Sequence, residues 1–264
     1  MNFRDKQIWI TGASSGIGRA LAKSLAAQGA NLLLSSRSVA ALEEVAGSVQ
    51  GLGIEAKVAP IDFAQSQDLM PQLEAAISQV QAVDMLIYAA GISSRATVEA
   101  AHSDVYRAVM EVNYFGLIAA VKAVLPQMTS RQSGAIVAIS SIAGKVGSKN
   151  RSAYSGSKFA VCGFMDCLRS EVHHQGVRCL TVCPGYVRTN IARNALTADG
   201  QPRGQTTSEI DGGMEADVCA QRIIRAIAAQ KDEVVIGRGL GRWAPLLKRI
   251  CPTTLNRIVA GRQW

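Results

Sequence analysis

The sequence is poor in aromatic side chains and in histidine, and each shortage closes off a class of protein. Aromatics make up 5% of the 264 residues, so Ala, Val, Leu and Ile have to form most of the core. Three histidines (His102, His173 and His174) and six cysteines without a C-x-x-C pair offer no cluster for zinc. The cysteines, at 162, 167, 179, 183, 219 and 251, read as buried free thiols. Cys179 and Cys183 alternate within an apolar run, where a thiol behaves as a small hydrophobe. No uninterrupted apolar run approaches the ~18 residues of a membrane span. The polar start Met1-Asn2-Phe3-Arg4-Asp5-Lys6 runs straight into an apolar strand and does not read as a signal peptide. A reduced, cytoplasmic enzyme is the expectation.

What is present is a globular composition, 48% apolar and 18% charged, which excludes wholesale disorder. The net charge is +8, unevenly spread. Between Gly237 and Trp264 there are six basic residues and no acidic one, leaving +2 for residues 1–236. A nearly neutral body with a basic tail argues against a nucleic-acid reader.

Apolar runs alternate with helical periodicity along the chain. Strands are expected at residues 7–11, 31–36, 55–59, 85–89, 135–140, 177–183 and 233–236. Helices are expected at 17–28, 39–52, 67–80, 103–130 (interrupted near 114–116), 154–175 and 216–230. Strands apolar on both faces and joined by helices imply a parallel sheet covered on both sides. The expected fold is a single α/β domain: a doubly wound, seven-stranded parallel sheet over residues 1–236, with a small helical extension at 237–264. A long irregular stretch, 190–213, reads as a substrate loop.

Between the first strand and first helix stands Thr11-Gly12-Ala13-Ser14-Ser15-Gly16-Ile17-Gly18. Gly12, Gly16 and Gly18 allow a sharp turn and close approach to a pyrophosphate, while Ser14, Ser15 and Ile17 complete the loop at the helix N-terminus. The second strand ends in Ser36-Arg37, with no Asp or Glu between Asn31 and Leu42. A carboxylate for ribose hydroxyls is missing, and a guanidinium stands where a 2′-phosphate would arrive. NADP(H) is therefore favoured over NAD(H). Tyr154 and Lys158 lie four apart at a helix start, on one face. An ammonium beside a phenol favours the phenolate, so the pair can act as a general acid/base.

These motifs together resemble the short-chain dehydrogenase/reductase family over nearly the whole chain. The resemblance rests on Thr11-Gly-x-x-x-Gly16-x-Gly18, Asp62, Asn113, Ser141, Tyr154-x-x-x-Lys158 and Pro184-Gly185-x-Val187-x-Thr189. It implies a Rossmann fold and a catalytic set of Asn113, Ser141, Tyr154 and Lys158. Tyr154 would protonate the substrate oxygen as hydride arrives. Lys158 would lower the Tyr154 pKa and hold the nicotinamide ribose. Ser141 would bond the carbonyl, and Asn113 would hold a water in a proton relay. Asp62 would meet the adenine edge, Thr189 the nicotinamide carboxamide, and Ala90 and Gly91 would approach the cofactor closely. One motif departs: the family's Asn-Asn-Ala-Gly is here Tyr88-Ala89-Ala90-Gly91, which places one stabilising hydrogen bond in question. Within the family, Asn113-Tyr-Phe-Gly116, Ser152-Ala-Tyr154 and Asn194-Ala-Leu-Thr-Ala-Asp-Gly200 are similar to the lipid-associated, NADP-dependent member seven type. That likeness implies reduction of a ketone on a hydrophobic or lipid-like substrate, such as an acyl or alkyl dihydroxyacetone phosphate. A β-ketoacyl or sugar/polyol reductase and a non-catalytic NADP sensor stand as alternatives. The family also implies a homodimer or homotetramer built on helices 103–130 and 154–175.

In the tail, Trp243, Leu246, Leu247 and Ile250 share a helical stripe. Pro252 breaks it, and Leu255, Ile258 and Val259 repeat it. Arg242, Lys248, Arg249, Arg257 and Arg262 fall mostly on other faces, and Trp264 ends the chain. Such a segment can lie on an anionic membrane, cap its own substrate pocket or pack on a second subunit. Arg193 and Arg203, in the loop, are candidates for a substrate phosphate.

Overall fold

The computed structural model of the chain describes residues 2–65 and 69–261. The expected helix start at Gln67, and Arg262 and Trp264 in the tail, lie outside them. Seven parallel strands form one sheet in the order β3-β2-β1-β4-β5-β6-β7. They are β1 (Gln7–Thr11), β2 (Asn31–Ser35), β3 (Ala56–Val58), β4 (Met85–Tyr88), β5 (Gly134–Ile139), β6 (Val177–Pro184) and β7 (Glu233–Ile236). The helices are α1 (Gly16–Ala26), α2 (Val39–Gly47), α3 (Leu69–Ile77), α4 (Ser103–Met110), α5 (Gly116–Ser130), α6 (Ser152–Val172), α7 (Ser208–Asp211), α8 (Ala216–Ala228), α9 (Leu240–Ile250) and α10 (Pro252–Gly261).

Strand alternation divides the core in two. Ile8, Ile10, Leu32, Leu34 and Ile87 pack with Leu21 and Leu25 of α1, Leu42 of α2 and Ile223 of α8. Their odd-even neighbours Trp9, Leu33, Leu86 and Ile136 face the opposite layer, with Leu73 of α3, Leu117 and Val124 of α5, and Met165 of α6. Each fully buried Leu or Ile removes apolar area worth about 1.5–3 kcal/mol. The large Trp9 is accommodated because its indole N–H donates to Ser35 Oγ at 2.9 Å.

The differences from expectation are local. The second helix ends at Gly47 rather than at residue 52, because Gly51 and Gly53 adopt positive φ and turn the chain. The loop 190–213 contains the short α7, which sequence periodicity missed. Cys167 and Cys251 are exposed, not buried. The interruption expected at 114–116 is a π-turn at Glu111–Phe115, joining α4 to α5. As one rod, Ser103–Ser130 is long and apolar enough to cross a membrane. The run criterion passed over it because polar residues and Lys122 interrupt it. In this fold its apolar side chains Leu117, Ala120, Val121, Val124 and Met128 are buried. The tail forms α9 and α10, with Ala244 and Leu255 closed over Val146. Trp243, Leu246, Ile250 and Ile258 remain exposed.

Two turns meet where α5 leads into β5 and α6 into β6. Gly176 has φ +67°, and a Cβ there would sit 1.9 Å from the Gln132 carbonyl oxygen. Gly176→Ala is expected to lower the melting temperature by roughly 5–10 °C. An unchanged melting curve would show that the contact is not required.

Candidate active site

The strand order reverses between β1 and β4, and the candidate residues gather at the carboxyl ends there. Gly12 has φ +63°, and a Cβ on it would lie 2.8 Å from the backbone of Ala89 and Ala90. The turn after β1 thus presses on the turn after β4. The Thr11 hydroxyl ties them, accepting the Ala89 and Ala90 amides at 3.1 Å each. Gly18 is as tightly placed, its Cβ position 2.2 Å from Gly12 O. On Gly16, at φ +53°, a Cβ would lie 2.9 Å from Thr189 Cγ2. The first turn of α1, preceded by Ser14 and the exposed Ser15, opens its amides toward this cradle. Ile17 packs on the core beneath it.

The far end of the cleft lies after β2. Ser36 is half-buried and Arg37 exposed. The Ser36 carbonyl accepts the Ile61 amide at 3.0 Å, which brings Asp62 beside the same edge. Asp62 accepts the Ala64 amide at 3.1 Å. On the other side of the cleft, Pro184 ends β6, the Gly185 amide bonds Ile236 O, and Val187 pairs with Met214. A cradle that any Cβ would fill fits a dinucleotide pyrophosphate.

The four expected catalytic residues converge. Asn113 sits in the π-turn and is fully buried. Its Oδ1 accepts the Ile92 amide at 2.8 Å, and its Nδ2 donates to Ile92 O at 2.9 Å and Ser157 Oγ at 2.8 Å. Ser157 Oγ in turn donates to Tyr154 O at 2.8 Å. Gly91 lets this cluster close: its Cβ position is 3.1 Å from Asn113 Oδ1 and 3.4 Å from Lys158 Nζ. Lys158 Nζ donates to Ile139 O at 2.9 Å and lies 5.8 Å from the Tyr154 ring centre. Ser141 starts the 3-10 turn Ile142–Gly144 and accepts the Ala143 amide at 3.1 Å.

Burial governs the electrostatics. Desolvation pushes the Lys158 ammonium down to about 8, against smaller opposing effects of Cys162 and Cys183. It also holds the Tyr154 phenol above its ordinary value. The groups that pull that phenol back down are the Ser141 hydrogen bond and Arg151. The Lys158 ammonium donates one of its three hydrogens to the Ile139 carbonyl. A raised phenol stays protonated at neutral pH, the form needed to donate a proton.

The mouth of the site is laced by backbone hydrogen bonds. Leu196 N donates to Ser93 O, Arg95 N to Leu196 O and Ala96 N to Asn150 O, at 2.8–3.0 Å. This gathers Arg95, Arg151 and Arg203. Burial lowers the Arg95 guanidinium, and Arg151 and Arg203 lower it further. Arg203 Nη1 is buried without a hydrogen-bond partner. The Arg151 guanidinium lies 5.6 Å from the centre of the Tyr186 ring. Sequence reasoning singled out Arg203 but missed Arg95, Arg151 and Tyr186. Their signal was proximity in sequence to Gly91, Tyr154 and Gly185. Arg193 lines an open cavity of about 640 Å³ with Arg188, Thr189 and Gly204, and its Nε donates to Gly204 O, next to Arg203.

A fold with this switch point, glycine cradle and Tyr–Lys–Ser–Asn cluster is that of a nucleotide-dependent oxidoreductase. The short chain dehydrogenase family model matches residues 6–200, and the chain belongs to that family. Mouse dehydrogenase/reductase SDR family member 7B is 40% identical over 263 residues, 98% of this chain and 81% of the relative. The fruit-fly SDR family protein 7-like is 36% identical, covering 97% and 80%. Among solved structures, a short chain dehydrogenase/reductase from Burkholderia phymatum in complex with NAD superposes with a TM-score of 0.80. It is 23% identical and covers 100% of this chain and 97% of its own. A Sphingobium yanoikuyae short-chain dehydrogenase in complex with NADPH gives 0.77 at 21% identity, covering 98% and 96%.

Lys158 provides a test that needs no ligand. Its folded value of about 8 lies below the ordinary lysine value of 10.5, so the unfolded chain binds more protons between those values. Stability from this residue therefore rises with pH from about 8 toward 10.5, by about 3 kcal/mol. Beyond pH 10 the raised Tyr154 phenol works in the opposite direction. Denaturation of wild type and Lys158→Met should show wild type gaining on the variant between pH 8 and 10. Parallel profiles would contradict a desolvated ammonium.

Proposed function

We propose that this oxidoreductase reduces a ketone to a secondary alcohol with NADPH, on a hydrophobic, lipid-like substrate. The observation that carries the reading is a buried Tyr154 near Ser141 and Lys158, at the end of a glycine cradle whose far rim is Ser36-Arg37. The nicotinamide supplies the hydride. Gly12, Gly16 and Gly18 would admit the pyrophosphate, Arg37 and Ser36 the 2′-phosphate, and Asp62 the adenine edge. Ala90, Gly91, Pro184, Gly185, Val187 and Thr189 would line the nicotinamide end.

Ser141 would bond the ketone oxygen and stabilise its developing charge. Tyr154 would donate its proton to that oxygen. The Lys158 ammonium, with hydrogens left over after Ile139, would hold the ribose and favour the phenolate left behind. Asn113 keeps the wall of this pocket fixed through Ile92 and Ser157. The two solved relatives carry different nucleotides in their names, so the preference for NADPH rests on Arg37.

The Arg95–Arg151–Arg203 group favours a ketone bearing an anionic group a few atoms from the carbonyl. Exposed Trp243, Leu246 and Ile250, flanked by Arg242 and Arg249, favour delivery from an anionic lipid surface. Exposed Phe115, at the end of the π-turn before α5, and Phe159 on α6 favour a subunit contact there.

Fluorescence titration with NADPH and NADH tests the cofactor. Wild type should prefer NADPH, and Arg37→Ala should weaken NADPH about tenfold or more while leaving NADH unchanged. Equal affinities in wild type would overturn the assignment. Tyr154→Phe should keep NADPH binding and lose at least about a hundredfold in turnover of a long-chain ketone. Full activity in that variant would sink the mechanism.

A further inference from the structure

The residue that departs from the family pattern is built deeply into the site. Tyr88 ends β4, is 2% exposed and packs edge-on against Phe63, ring centres 5.2 Å apart. Its hydroxyl donates to the Val112 carbonyl at 2.6 Å. In an α-helix that carbonyl would receive the Gly116 amide. Here the Gly116 amide reaches one residue further back, to Glu111 O. The π-turn thus takes away the acceptor's usual helical partner in a buried place, where an unmet carbonyl is costly. The phenol of Tyr88 meets it. Burial, and Glu111 after it, keep that phenol well above its usual value and so protonated as a donor.

Room for the hydroxyl comes from Gly116, where a Cβ would lie within 2.4 Å of Tyr88 Oη. The same Cβ would approach Phe63 only to 3.1 Å. Asn113 follows Val112 directly, and its amide is the piece that joins the turn to Ile92, Ser157 and the Tyr154 helix. We propose that Tyr88 is a positioning residue: its hydroxyl, in space left by Gly116, holds the π-turn in the shape that sets Asn113. Its bearing on turnover rests on the ketone-reductase reading above.

Three variants decide it: Tyr88→Phe, Gly116→Ala and the double variant. Backbone hydrogen exchange of residues 111–117 is read by mass spectrometry on the full chain, which needs no substrate. Tyr88→Phe should raise exchange there roughly tenfold, with little change in β1, β6 or α8. Unchanged exchange at 111–117, or a uniform rise across the sheet, would overturn the proposal. In NADPH-driven reduction of a long-chain ketone, Tyr88→Phe should lower kcat roughly tenfold with the KM for NADPH retained. Gly116→Ala should lose as much. The double variant should be no worse than Gly116→Ala, because the hydroxyl that clashes with the new Cβ is gone. Additive losses would mean that the two residues act apart. Absence of ketone turnover in wild type would defeat the functional reading and leave the exchange result to stand or fall alone.

Discussion

One close approach organises this molecule: the turn after β1 lying against the turn after β4. It exists only because residue 12 has no side chain and because the Thr11 hydroxyl accepts two amides from the facing turn. In this all-parallel sheet, that is where the connections leave in opposite directions and a crevice opens. Along the same crevice Gly16 lies close to Thr189, and Gly91 close to Asn113 and Lys158. The nucleotide cradle and the acid/base cluster are two sides of one seam.

Dryness does the electrostatic work on the catalytic side. The two groups of the Tyr–Lys pair are both buried, and desolvation pushes each toward its neutral form. That keeps a proton on the phenol and leaves the ammonium only loosely committed to its charge.

Much of this was legible in the sequence. Seven apolar strands separated by helical periods fixed the sheet. Gly12, Gly16, Gly18, Asn113, Ser141, Tyr154 and Lys158 stand out by residue type and spacing, and the structure brings them together. What was not legible depends on contacts between distant segments. Nothing local announces that Arg95, Arg151 and Arg203 share one rim, because backbone lacing of three loops puts them there. The role of Tyr88 was hidden likewise: an aromatic ending a strand reads as core until its hydroxyl is seen on the carbonyl of a widened turn. The spacing that puts Lys158 beside Tyr154 was legible, whereas the bond from its ammonium to the Ile139 carbonyl was not.

The laced rim also has a kinetic meaning. Leu196 is bonded through both its amide and its carbonyl to the segment after β4, and that segment is bonded in turn to Asn150. Behind these bonds Tyr154 is only 6% exposed. A flap fastened by one side chain can flicker open, whereas one fastened by successive peptide groups must release them together. Opening this rim would therefore release its backbone hydrogen bonds as one cooperative unit.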